Sequence, residues 1–473
     1  MSSSQSTFWK KGHPPGGLFL PTLAIRVAVL AALAACGPTG NVDQPVPTDL
    51  VPQVEPVPNP LGVYTALGYI VGNRNFPAVG SLVYLPGPAD SSYVILALSL
   101  SNSTLRFRRD PPDFVARYRV ALTVGDTLLP LAALDEIEEV RVATFRETSR
   151  RDESVVFQGY LKLMPGQYPT RIEVRDLASA AGFIFNTFIH VPRFGESFVT
   201  PPVVVYRAEP RTRRADPPSL IINPRATIDF QEGRSRFYVE SSSGSTQPAV
   251  LDVLEEGHVI STDTLAFRPD SGTLRVARGN LDVTRYPAGA LTLRVSHPDA
   301  VAIDSTGLIV AFAPDWVAPD YDTAIGYLRY AGTPAQLDSL VSARPVERAH
   351  LLHTLWDKRD DVPETPENEF FERYFRRIRD ANDRFSEATT AGWLTDRGSV
   401  YIVFGPPDQV LRHLEAGQGP QRSQVWLYNE SLETELRLVF FDPTATGAYS
   451  LTIESRRAFF AAIHNLYSEH APG

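Results

Sequence analysis

The chain contains one cysteine, Cys36, and it closes an apolar stretch near the N-terminus. No disulfide can form within the chain, and no cysteine cluster can hold a metal. Everything downstream must therefore be held by apolar cores and backbone pairing. The material for this is present: 43% of the 473 residues are hydrophobic and 21% charged, an ordinary globular balance. At roughly 150 residues per domain, the length corresponds to about three domains. The 40 prolines favour short strands joined by turns, with at least one proline-rich linker.

Lys10 and Lys11 lie in a polar, basic opening segment. An apolar stretch starts at Leu18, is broken by Pro21 and Arg26, and runs cleanly from Val27 to Ala35. Arg26 leaves fewer apolar residues than the ~20 that a membrane span needs. A short apolar segment with a basic flank and small residues at its end reads as a secretion signal. Its ending, Leu33-Ala34-Ala35-Cys36-Gly37, resembles a bacterial lipobox. The resemblance implies cleavage between Ala35 and Cys36, with lipid attached to Cys36. Cleavage removes Lys10, Lys11 and Arg26 but no acid, so 45 basic and 54 acidic residues become 42 and 54, net −12. A negative surface argues against nucleic acid and against broad contact with anionic lipid. The expected membrane contact is the lipid on Cys36. Gly37, where inner-membrane retention is associated with aspartate, favours the outer membrane.

Residues 36–60 carry a proline every few positions and no apolar periodicity, the composition of an extended, semi-rigid spacer. Residues 61–197 look all-β. Tyr93 to Leu100 is a strand-like apolar run. Tyr118, Val120, Leu122 and Val124 alternate with Arg117, Arg119, Ala121 and Thr123, the period-2 pattern of a half-buried strand. The turn Pro165-Gly166 before Tyr168, Ile172 and Val174 returns as Pro287-Ala288-Gly289 before Leu291, Leu293 and Val295. We read residues 61–197 and 198–316 as tandem immunoglobulin-like β-sandwiches, the alternative being one larger β domain.

Residues 317–473 change character, to helices followed by an antiparallel sheet. The fold class expected for the whole is mainly β with an α+β C-terminal domain. Leu337, Leu340, Val341, Leu351, Leu352, Leu355 and Trp356 recur at helical spacing. Thr365-Pro366-Glu367 predicts a helix start capped by Thr365, running to about Phe385. Val400 to Phe404, between Asp396-Arg397-Gly398 and Gly405-Pro406-Pro407-Asp408, predicts an apolar strand. Further strands are expected at Val425 to Tyr428, Leu436 to Phe441 and Tyr449 to Ile453, then a helix from Arg456 to Tyr467.

Within this region Gly392-Trp393-Leu394-Thr395-Asp396-Arg397-Gly398 and Tyr401-Ile402-Val403-Phe404-Gly405-Pro406-Pro407-Asp408 are similar to the GWxTD domain family. Asn368, Glu369, Arg377, Ala381, Asn382, Phe385, Trp426, Tyr428, Gly447 and Tyr449 fit the same pattern over residues 320 to 455. The resemblance implies a bacterial envelope lipoprotein with β-rich segments ahead of the motif domain. It implies no activity.

The charged motif residues invite a chemical reading. A catalytic reading has Glu369, Arg377, Asp396, Arg397 and Asp408 converge on a pocket, with Asp396 as general base or ligand-binding carboxylate and Arg377 or Arg397 holding an anion. The scaffold reading is favoured: Asp396 and Asp408 bond backbone amides of their own turns, Asp396 pairs with Arg377, and Trp393 wedges between helix and sheet. His350, His353 and Asp357 share helical spacing but lack a zincin pattern. There is no Gly-x-Ser-x-Gly elbow, no phosphate-binding glycine loop and no dinucleotide fingerprint, so no cofactor is expected. The expected function is a non-enzymatic, lipid-anchored envelope platform that contacts another envelope protein or a glycan, Trp393 first. The alternative is an envelope hydrolase or transferase using Asp396 and Asp408.

Overall fold

A computed structural model describes residues 59–468 apart from 127, 152, 232, 243–246, 268–273, 303, 366, 418, 431 and 433–434. The signal segment, Ala35, Cys36 and most of the spacer lie outside the described residues. Among the described residues, no helix is long and apolar enough to cross a membrane.

The first sandwich stacks two antiparallel sheets. One orders Ile70–Asn73, Phe76–Pro86, Ser92–Ser101 and Glu153–Leu163 side by side. The other is built on Asp113–Gly125, flanked by Pro130–Val142 and by Gly166–Asp176, with Gly182–Val191 at its edge. The alternation in Asp113–Gly125 works as expected: Tyr118, Val120, Leu122 and Val124 enter the core, and the arginines between them face outward. Ser92–Ser101 has no polar face because both its faces are covered. Val94, Leu96, Leu98 and Leu100 fill the sandwich. Tyr93, Ile95 and Ala97 pack on Val203, Val205, Leu220, Ile222 and Tyr238 of the next sandwich. A strand buried on both sides is apolar throughout rather than alternating, which accounts for the run Tyr93 to Leu100.

The second sandwich pairs a six-stranded sheet with a five-stranded one. Most neighbours are antiparallel, but Thr227–Asp229 runs parallel to Ser305–Ala311. Its core does not end at the sandwich. Phe230 and Phe312 continue it into the C-terminal region, where they meet His353, Trp356, Phe371 and Phe375.

The C-terminal region places the helices Tyr321–Gly326, Pro334–Val341, Pro345–Asp357 and Glu369–Phe385 before a four-stranded antiparallel sheet. That sheet comprises Gln409–Gly417, Gly419–Tyr428, Leu436–Asp442 and Ser450–Leu451, and the helix Ile453–Ser468 closes it. Two local expectations are corrected. The long helix begins at Glu369, not near Thr365; Asn368 caps it by accepting from Phe371 N at 2.8 Å, while Thr365 donates to Glu369 Oε1. Val400 to Phe404 is not a strand. It belongs to the helix Asp396–Phe404, capped by Thr395. The segment is buried on all sides, so it shows no periodicity that separates a strand from a helix.

Candidate functional site

Most of the polar and small residues of the segment 392–408 have an identifiable structural task. Gly392 follows the long helix so closely that a Cβ would collide with the Ala381 carbonyl oxygen. Gly398 in turn lies against the Gly392 carbonyl. These two absences of a side chain let helix, turn and helix stack backbone on backbone. Asn382 fixes the turn by accepting from Trp393 N at 3.0 Å. Trp393 is fully buried, edge-on to Trp316 at 5.5 Å and to Tyr327 at 6.2 Å. Its wedge position agrees with the scaffold reading. Its expected role as first contact for a partner is overturned, because no part of the ring reaches the surface.

Thr395 Oγ1 donates to Gly392 O and accepts from Gly398 N, at 2.8 and 3.0 Å. Asp396 then sits in the first turn of the motif helix, where a carboxylate favours the positive end of the helix dipole. Its Oδ2 accepts from Leu451 N at 2.7 Å and from Arg456 Nη2 at 2.6 Å. The acid therefore ties the motif helix to the last strand and the closing helix, not to its own turn. Arg397 donates to Gly447 O at 3.0 Å, lies 3.6 Å from Glu387 and stacks over Tyr449 at 4.3 Å. Asp442 closes the neighbouring loop by accepting from Thr444 N, Thr446 N and Gly447 N.

The expected pair between Asp396 and Arg377 does not form. Arg377 serves the other end of the motif helix, donating to Ile402 O and Val403 O at 3.1 and 2.8 Å. Nine residues at ~1.5 Å per residue separate the two ends by about 12 Å. A guanidinium here satisfies terminal carbonyls and suits the negative end of the helix. Burial pulls Arg377 below the ordinary arginine value. Gly405 ends the helix with φ +84°, and a Cβ there would approach Arg377 Nη2 to 2.6 Å. Its carbonyl accepts from Tyr428 OH at 3.0 Å. Pro406 is exposed. Asp408 is also exposed; its Oδ2 accepts from Asn429 N and Glu430 N, pinning the end of the neighbouring strand.

The remaining residues expected at the site lie at the start of the long helix. Asn368 also donates to Trp356 O at 2.9 Å. The hydrogen bond from Thr365 holds Glu369 below the usual carboxylate range. The structure thus gathers Gly392, Trp393, Thr395, Asp396 and Arg397 at one end of the motif helix and Arg377 and Gly405 at the other. Asp396 reaches Leu451 and Arg456, whereas Asp408 reaches Asn429 and Glu430. Arg456, Glu387 and Asp442 were not anticipated. They approach the motif only through tertiary folding, and no spacing in the sequence announces them.

Residues 317–464 match the GWxTD domain. The chain carries a GWxTD domain. No curated protein matches the chain. The signature of the GWxTD domain is here a knot of backbone contacts, caps and an ion pair around one helix.

His350 is exposed, and His353 stacks on Phe230 with ring centroids 4.2 Å apart. Among the described residues no His, Cys, Asp or Glu group is placed to hold a metal. Burial lowers the His353 pKa from its ordinary 6.5. The unfolded chain therefore takes up this proton first as pH falls. The stability contributed by a neutral His353 is complete above 6.5 and is lost as pH drops below that value toward the folded one. Between about pH 7.5 and 5.5, chemical denaturation of the parent should show a larger loss of stability than the His353→Gln variant. Parallel curves for the two would contradict this assignment.

Away from the motif, a cleft of about 790 Å³ lies between the two sandwiches. Tyr69, Tyr84, Phe185, Phe194, Asn223 and Asp304 are among its lining residues, and no GWxTD residue is.

Proposed function

We propose that this is a non-enzymatic, lipid-anchored protein of the cell envelope, exported through its signal segment and held at the outer membrane by lipid on Cys36. In this reading the rigid C-terminal region, fused through one core to the second sandwich, acts as an interaction scaffold for another envelope protein or a glycan. The observation that carries the non-catalytic part is the engagement of the motif's polar groups. Asp396 and Asp408 each accept two hydrogen bonds from the chain itself, and Arg377 and Arg397 point at backbone carbonyls. A general acid or base needs a carboxyl within hydrogen-bond reach of a substrate proton, and neither acid lines the cleft between the sandwiches. The anchoring part is supported by the lipobox-like ending and by the absence of any other cysteine.

The test is metabolic labelling with palmitate followed by membrane fractionation. The parent should incorporate label and sediment with outer membranes. Cys36→Ser should incorporate none and either remain unprocessed or leave the membrane fraction. Identical labelling and fractionation of the two would overturn the anchoring.

A further inference from the structure

At one end of the first sandwich, the corner formed by the sheet built on Asp113–Gly125 is apolar and exposed, while Asp90 and Arg193 lie at the same end beside the second sandwich. In the hairpin that joins Asp113–Gly125 to Pro130–Val142, Leu128 is 93% exposed and Leu129 83%. Strand register extends the patch. Pro169 lies opposite Phe188, Thr170 opposite Val124, and Gly125 opposite Pro130. A Cβ on Gly125 would touch Leu131. A row therefore crosses four strands from Phe188, itself 77% exposed, through Pro169 and Gly125 to Leu131. The loop bearing exposed Met164 lies at the same end, since it leads into the strand that carries Pro169.

The chemistry of this corner is narrow. Residues 120–134 contain a single charge, Asp126, and residues 163–170 and 183–189 contain none. Contiguous exposed apolar surface of this kind marks an interaction site. Protein interfaces concentrate binding energy in Trp, Tyr and Arg, with Leu under-represented; the exposed groups here are Leu, Met, Pro and Phe. Leu128 and Leu129 stand almost fully out of the fold at the tip of a hairpin, which suits insertion into a soft medium. The chain outside the described residues points the same way. Residues 37–58 join Cys36 to the fold at Asn59, and even fully extended at ~3.3–3.6 Å per residue they reach at most about 80 Å. A chain anchored at Cys36 would hold both sandwiches within that reach of the lipid surface, since the helix Pro60–Ala66 at the tether's end seats Tyr64 against Val79 of the first and Ile309 of the second.

We infer that the Leu128–Leu131 hairpin, with Met164 and Phe188, inserts into the apolar boundary of a lipid bilayer as a second membrane contact. It builds on the reading of a tethered chain, but the hairpin can be tested without lipid on Cys36. Insertion of uncharged side chains draws on apolar transfer, so it requires neither anionic lipid nor low salt.

The experiment uses the chain from residue 37 onward, which keeps all described residues. An N-terminal hexahistidine tag tethers it to phosphatidylcholine vesicles containing nickel-chelating lipid. Cys36 is absent, so Leu128→Cys supplies the sole thiol for an environment-sensitive fluorophore. Tethering should shift its emission to the blue and brighten it several-fold. Lipids brominated in their acyl chains should quench it, and high salt should leave it unchanged. The same label at Arg146→Cys, at the opposite end of the sandwich, should not respond, and Leu129→Asp should abolish the Leu128→Cys response. A Leu128→Cys label as indifferent to vesicles as the Arg146→Cys label would overturn the proposal. So would a response that grows with protein concentration when vesicles are absent, which would assign the patch to a second copy of the chain. A negative result here leaves palmitate labelling at Cys36 unaffected, so the two readings fail separately.

Discussion

Gly398→Ala is expected to destabilise the GWxTD domain by about 3 kcal/mol, although it adds one methyl group to a helix. On helix propensity alone, alanine would gain up to ~1 kcal/mol over glycine. The collision decides the sign. The new Cβ meets the Gly392 carbonyl, and Gly392 is itself pressed on the Ala381 carbonyl. Neither neighbour is a flexible side chain that can swing away, so the turn must separate from the long helix. That movement withdraws Trp393 from Trp316 and Tyr327 and breaks the bond from Trp393 N to Asn382. Tryptophan emission reads the change in the right place: of the five tryptophans, four are Trp316, Trp356, Trp393 and Trp426. The variant's denaturant midpoint should fall clearly below the parent's. An unchanged or raised midpoint would show that the turn can yield.

The second large effect is expected far from the motif. Arg211 and Glu240 form a bidentate pair, both bonds 2.7 Å, and Glu240 has no exposed surface. Tyr238 OH adds a bond to Glu240 at 2.7 Å, and Arg211 reaches Pro86 O of the first sandwich at 2.6 Å. Arg211→Met strands a buried carboxylate, at a cost of about 3–5 kcal/mol. Arg211→Met combined with Glu240→Leu should lose much less than the single change, because no unpaired charge is left behind. A thermodynamic cycle followed by circular dichroism measures the difference. Equal losses for the single and double variants would mean that the charge is solvated or re-paired. Limited proteolysis should also cut the single variant faster near Pro86, where Arg211 bridges the sandwiches.

The contrast between these two sites shows what can be read along the chain. Alternation at Tyr118 to Val124 directly identified a strand and its inner face, because a strand's side chains alternate with period 2 whatever it packs against. At Val400 to Phe404 the same reading failed, because a segment covered on every side has no polar face to mark its period. The helix was nevertheless signalled a turn earlier, by Thr395 as cap and Asp396 in the first turn. Trp393 was legible as a wedge but not as an inaccessible one, since burial depends on Trp316 and Tyr327, both more than 60 residues away in the chain.

Local pattern determined the β-rich class, the helix-plus-antiparallel-sheet ending and the GWxTD signature, because each rests on short-range spacing of side chains. Tertiary structure alone decided the partners of the charged residues. Asp396 found Arg456 and Leu451, Arg377 found the far end of the motif helix, and Arg211 found Glu240 and Pro86. A carboxylate or guanidinium takes whichever donors or acceptors folding brings within about 3 Å, and no local spacing encodes a neighbour that arrives from another element.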